Sequence, residues 1–206
     1  MSKYPVVGSR EELDVVLSDL RKVINPSARL PDSPFLGDKG TDSFCEWESF
    51  NGGSFGPFLE ALALQFHDEF VSGVRLEPDD YLDDEDMRGN FAAFHIPTSL
   101  VADEYWHALT YEPDDNPAEA IYNNADVLGA AGSSGSWAIW GERVVGVAIV
   151  RTVGADVSWR GDSDWFLPPT DALHAFIEPN FNLRPLSAEF RRTFLRNVRP
   201  VGNYQA

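Results

Sequence analysis

Two apolar runs, residues 137–140 (Trp-Ala-Ile-Trp) and 144–152 (Val-Val-Gly-Val-Ala-Ile-Val-Arg-Thr), stand on either side of Gly141-Glu142-Arg143. Neither run alternates apolar with polar residues, so neither has a face that can be left in water. A short connection leaves no room for a crossover, which makes the pair an antiparallel hairpin. A hairpin apolar on both faces belongs in the covered centre of a sheet. The chain has the material for such a core: 43% of its 206 residues are hydrophobic, with 14 Phe and 6 Trp. At this length the expectation is a single α+β domain spanning 1–206, mainly antiparallel sheet around the central apolar hairpin, packed by several amphipathic helices.

The helices are read from caps and periodicity. Ser9 and Glu12 have capping-box spacing, and Leu13, Val16, Leu17, Leu20, Val23 and Ile24 share one face, which predicts a helix over 9–24. Gly56-Pro57 opens a second, with Phe58, Leu62, Phe66 and Phe70 recurring every fourth residue. Residues 91–96 read as a strand, and Thr98 or Ser99 caps a helix through Leu109. Asn116-Pro117-Ala118-Glu119 starts another helix, whose buried face is Ala118, Ile121, Tyr122, Ala125 and Leu128, with Gly129 as its C-terminal cap. Thr170 begins a further helix. Ser187 caps the last, with Phe190, Phe194 and Val198 inward.

The glycine-serine stretch ahead of the hairpin, Gly132-Ser133-Ser134-Gly135-Ser136, invites a phosphate-binding reading and fails its tests. A phosphate loop needs Lys-Ser/Thr after its last glycine and a helix next, and here a strand follows. A nucleophile elbow needs Gly two residues after its serine, and Ser136 stands there after Ser134. The stretch reads as a turn. His67, His95, His107 and His174 are widely spaced and show no metal-ligand pattern. Cys45 reads as a buried apolar thiol rather than a nucleophile. The acidic run at Asp79 lacks the glycine that a calcium loop needs at its sixth position. Arg160-Gly161-Asp162 matches an integrin-type tripeptide by chance. No cofactor and no metal are expected.

Charge narrows the partners. Thirty-three acids against sixteen bases give −17, a field that repels nucleic acid and attracts basic proteins. Seven acids fall within residues 77–86, and Asp79, Asp80, Asp83, Asp84 and Asp86 are candidate steering charges; the same run also fits a merely solvated loop. Trp159, Arg160, Asp162, Asp164 and Trp165 crowd a second loop with the composition of an interface hot spot, or of tryptophans folded back into the core. Five arginines near the C-terminus (Arg184, Arg191, Arg192, Arg196, Arg199) stand out against the acidic remainder. No apolar run reaches the roughly 18–20 residues of a membrane helix and no secretory leader is visible, so a cytoplasmic protein is expected.

An acidic, aromatic-rich α+β chain without a catalytic motif resembles the immunity proteins of bacterial toxin systems. Phe50-Asn51-Gly52-Gly53 is similar to the Asn-Gly-Gly turn of the SUKH immunity superfamily. That resemblance implies a partner-binding protein that neutralises a cognate toxin, or another basic protein, by direct occlusion. Two other classes stay open: an enzyme whose site is assembled only by the fold, and an inhibitor that mimics nucleic acid.

Overall fold

The computed structural model describes residues 5–79, 91–154, 166–181 and 184–199. In chain order its principal elements are α1 (Arg10–Leu20), β1 (Thr41–Glu46), α2 (Trp47–Phe50), α3 (Gly56–Gln65), β2 (Phe70–Glu77), β3 (Ala93–Pro97), α4 (Val101–Thr110), α5 (Ile121–Asn124), β4 (Val127–Gly132), β5 (Trp137–Glu142), β6 (Val147–Thr152), α6 (Pro169–Ala172) and α7 (Ala188–Asn197). The strands form one sheet in the order β1-β6-β5-β4-β2-β3, antiparallel at every pairing. The fold class is α+β.

The apolar hairpin sits at the sheet centre, as its two-sided burial requires. Trp137 pairs with Thr152 and Glu142 with Val147, and every residue of the two strands except Glu142 is buried. The turn comes later than the sequence implies. Gly141 and Glu142 belong to β5, and the reversal closes at Gly146, whose φ of +76° suits glycine. Val144 is left exposed at the tip.

The register shows what covers each face. Gly129 lies opposite Trp140 and Leu128 opposite Gly141. A Cβ at Gly129 would meet Leu20 and Ile24, so the segment containing α1 presses on that face. A Cβ at Gly141 would lie 2.9 Å from both Trp47 and Phe50, so α2 presses on the other. Two of the strand glycines are thus close-approach points, one per face. Ser9 caps α1 through its hydroxyl, which accepts from the Glu12 N–H at 3.2 Å, while Glu12 Oε2 accepts from the Gly8 N–H at 2.9 Å. Ser187 caps α7 in the same way, accepting from Phe190 at 3.0 Å, and buries Phe194 against Phe44 of β1. Both outer strands carry an extra bridge, Val6 to Phe94 and Leu167 to Phe44, which covers edges otherwise open to pairing with another chain.

Three expectations are corrected. The helix read through residues 118–128 is only the single turn α5, with Ala118 and Tyr122 exposed; from Val127 the chain is strand, and Gly129 is mid-strand rather than a helix cap. Sheet pairing on both sides of β4 overrides a helical periodicity built from alanine and leucine. The second helix ends at Gln65, and Phe70 starts β2 instead of adding a fourth aromatic to the helix. Thr98 caps nothing: its hydroxyl donates to the Asp68 carbonyl at 2.7 Å, and α4 begins at Val101 after a short 3₁₀ turn.

Candidate functional site

Of the residues expected to meet a partner, Trp159, Arg160, Asp162, Asp164, Trp165, Asp80, Asp83, Asp84 and Asp86 lie outside the described residues. Asp79 is described and exposed, just beyond the end of β2. It borders a cleft of about 520 Å³ whose floor is Leu17, Leu20, Ile24 and Leu76 and whose rim includes Arg21, Arg29 and Glu77.

The glycine-serine loop is a β-turn between β4 and β5, held by one buried carboxylate. Asp68 Oδ1 accepts from the Ser134 N–H at 2.5 Å and from the Ser133 hydroxyl at 3.4 Å, and Oδ2 accepts from the Trp137 indole at 2.6 Å. A Cβ at Gly132 would lie 2.2 Å from Asp68 Oδ2, so the glycine is what lets the carboxylate in. The loop's amides are spent within the fold: the Ser134 N–H on this carboxylate, Ser133 on the Phe70 carbonyl, Gly135 on the Gly132 carbonyl and Ser136 on the Ser134 hydroxyl. This is turn chemistry, and the carboxylate that performs it lies more than sixty residues away in the chain.

Among the described residues, the surface feature with the most organisation is an aromatic pair. Trp106 of α4 and Tyr122 of α5 are each 38% exposed and meet edge to face, 5.1 Å between ring centroids. The backbone around Tyr122 is pinned by side chains from other parts of the chain. The Tyr122 carbonyl accepts from Asn51 Nδ2 at 3.0 Å and from Arg143 Nη2 at 2.7 Å, and Arg143 Nη1 donates to the Asn123 carbonyl at 2.9 Å. Tyr105, the neighbour of Trp106, donates its hydroxyl to the Phe50 carbonyl at 2.6 Å. Gly53 makes room for the indole, since a Cβ there would stand 3.0 Å from the Trp106 ring. The Phe50-Asn51-Gly52-Gly53 stretch is therefore the seat of this pair. Acids flank it: Asp103 is exposed one helical turn before Trp106, and Glu119 is exposed three residues before Tyr122.

Sequence reasoning missed the pair because helical periodicity placed Tyr122 on a buried face. The one legible signal was Asn-Gly-Gly, a turn able to seat a bulky ring.

Other reactive groups are dispersed among structural contacts. Cys45 is buried, and burial raises its thiol far above the usual range, with Glu46 adding to the effect. His95 stacks on Phe70 and shares a 2.9 Å hydrogen bond with Ser72, and burial lowers its basicity. His107 and His174 lie against Glu104 and Glu178 on the surface. Among the described residues no three His, Cys, Asp or Glu side chains gather as a metal site requires. Near Arg29 and Glu77, burial pushes the Glu142 carboxyl up and Glu77 adds to the rise, against a backbone hydrogen bond at Leu30 and the Arg29 charge. Arg29 is bound to Glu77 through Nε at 2.8 Å and through Nη2. No helix among the described residues is long and apolar enough to cross a membrane. No protein-family model, curated protein or solved structure matches the chain, so any reading of its function rests on this geometry and on charge.

Proposed function

We propose that the chain is a partner-binding protein of the immunity type, which occludes a basic protein such as a cognate bacterial toxin. The observation that carries this reading is the Trp106–Tyr122 pair: two large exposed rings packed edge to face, the indole seated on Gly53 and the Tyr122 backbone tied down by Asn51 and Arg143. Aromatic residues already fixed in place lose little freedom on binding, which is why they serve as interface anchors. The surrounding charge complements a basic partner. A net −17 field steers such a protein toward the surface, and Asp103 and Glu119 offer it acceptors beside the rings.

The test is co-expression with the product of the neighbouring gene in a bacterial host. Growth should be restored by the wild-type chain and lost again with Trp106→Ala or Tyr122→Ala, both proteins folding normally. A neighbouring product that is harmless, or that is neutralised equally well by both variants, defeats the reading. Steering predicts in addition that neutralising Asp79, Asp80, Asp83, Asp84 and Asp86 together slows association, chiefly at low salt, because exposed charges are screened over about 8 Å at physiological ionic strength.

An enzyme is the second reading, and one observation favours it. Glu142, with its raised pKa and an Oε2 that has no hydrogen-bond partner among the described residues, stands near Arg29 and Glu77, which line the cleft of about 520 Å³. A hydrolytic or proton-transfer activity lost in Glu142→Gln and kept in Trp106→Ala would bring it ahead.

A further inference from the structure

Residues 40–74 and 89–142 carry acids throughout and not one lysine or arginine. These two spans supply the whole of α2, α3, α4 and α5, and the four helices pack together. Tyr105 of α4 donates to the Phe50 carbonyl of α2, and Asn51, just after α2, donates to the Tyr122 carbonyl of α5. A Cβ at Gly56 of α3 would lie 2.8 Å from the Ala102 carbonyl of α4. Arg143 reaches this cluster from the turn between β5 and β6, and its Nη donors end on the Tyr122 and Asn123 carbonyls. His107, beside Trp106, lies against Glu104 at 3.3 Å.

Trp106 and Tyr122 stand on this acid-only cluster. Their rings meet at 75° and each residue is 38% exposed, so they form a corner with aromatic surface left to solvent. Asp103 is exposed one helical turn before Trp106. Within the fold, arginines meet rings in one repeated way. Arg151 lies over Phe35, 4.6 Å from Cζ to the ring centroid, while its Nε and Nη2 donate to Asp42. Arg143 lies over Trp47 at 5.7 Å while it donates to its two carbonyls. A planar guanidinium can lay its face on a ring and turn its edge to oxygen at once, whereas a lysine ammonium is a strongly hydrated point charge. Trp106, Tyr122 and Asp103 offer the ring and the oxygen, on helices that have no lysine or arginine of their own to fill the arrangement.

We propose that this corner takes an arginine side chain of the basic partner, its guanidinium laid on the Trp106–Tyr122 rings and paired with Asp103. The proposal rests on the partner-binding reading and adds to it the side chain that the partner must present. A second copy of this chain would bring its own −17 charge to an acidic face, so a basic protein is the occupant.

The test titrates the isotope-labelled full chain with Nα-acetyl-argininamide, with Nα-acetyl-lysinamide of equal charge, and with Nα-acetyl-citrullinamide, which keeps the shape and lacks the charge. The readout is the Trp106 indole N–H resonance, assigned by its disappearance in Trp106→Phe. Arginine should shift it saturably, lysine should bind at least about threefold more weakly, and citrulline should give no saturable shift. The buried Trp137 indole should not move. Asp103→Asn and Tyr122→Leu should each weaken arginine binding about threefold or more, with melting curves to check that both variants fold. Sedimentation should show a monomer. Equal binding of arginine and lysine, no saturable shift with arginine, unchanged affinity in both variants, or a self-association that Trp106→Ala abolishes overturns the proposal. Toxin protection that needs Trp106, found together with equal arginine and lysine binding, leaves the partner reading standing and removes this one. Arginine selectivity in a chain that protects against no neighbouring product upholds the arginine site and defeats the toxin.

Discussion

Trp137 and Trp106 have similar chemical neighbours, an indole with a carboxylate close by, and opposite fates. Trp137 is 1% exposed, and its indole N–H ends on Asp68 at 2.6 Å. Trp106 is 38% exposed and rests its ring on Tyr122 and Gly53, with Asp103 a helical turn away. In the first case the carboxylate satisfies a buried donor and fastens a turn. In the second the acids are solvated and available to something outside. Tryptophan among acids is therefore not in itself the mark of an interface. What separates the cases is whether the ring's polar edge and flanking charges are already used within the fold.

That contrast can be broken most severely from the core side. Val147→Asp places a charge at the centre of the sheet, in a strand buried throughout, at a cost of several kcal/mol against a whole-domain stability of about 5–15 kcal/mol. The expected result is an unfolded or insoluble chain by circular dichroism. A cooperative melt near the wild-type temperature would contradict the burial of β6.

Trp137→Ala should cost about 3–5 kcal/mol in urea unfolding, since it opens a cavity and leaves Asp68 Oδ2 without its donor. Trp106→Ala, at the surface, should cost no more than about 1 kcal/mol while removing partner binding. Equal losses in the two variants would mean the rings do the same work. Asp68→Ala sharpens the buried half: it strips acceptors from the Trp137 indole and the Ser134 N–H, for an expected loss of about 2–3 kcal/mol.

Gly53→Val acts on the exposed half alone. Its side chain must displace the Trp106 ring, so near-ultraviolet circular dichroism should change and partner binding should fall as in Trp106→Ala. Stability should move by about 1 kcal/mol or less. An unchanged spectrum with full binding would show that the seat does not hold the ring.

The smallest effect is at half-buried Glu142, at the opposite end of β5 from Trp137. Burial raises its carboxyl in the folded chain, so the folded state holds a proton that the unfolded state has released. Stability is therefore lost as pH rises from the unfolded value near 4 through the folded one, and the penalty persists above it. Glu142→Gln should be slightly more stable than wild type at pH 7 and indistinguishable from it below about pH 4. A variant less stable at pH 7 would indicate that the charged carboxylate is held by contacts stronger than its burial cost.

Wherever a local pattern had only one physical solution, the sequence alone was enough. Ser9 with Glu12, and Ser187 ahead of Phe190, are caps whose partners lie within four residues, and both formed as read. The apolar hairpin had to lie inside a sheet because neither strand has a face for water. Residues 127–132, Val-Leu-Gly-Ala-Ala-Gly, were misread because small residues carry little strand signal. They are small for reasons that lie elsewhere in the chain: Gly129 lies under Leu20 and Ile24, and Gly132 admits Asp68. The same holds for the aromatic pair. Asn51 and Gly53 announce a turn, but that the turn seats Trp106, and that Arg143 fastens Tyr122 from a hairpin twenty-one residues on, are facts of packing. Caps and two-sided burial are settled by neighbours in sequence or by water. Which ring is left exposed, and which carboxylate is already spent, depends on contacts between residues far apart in the chain, and only the tertiary structure decides those.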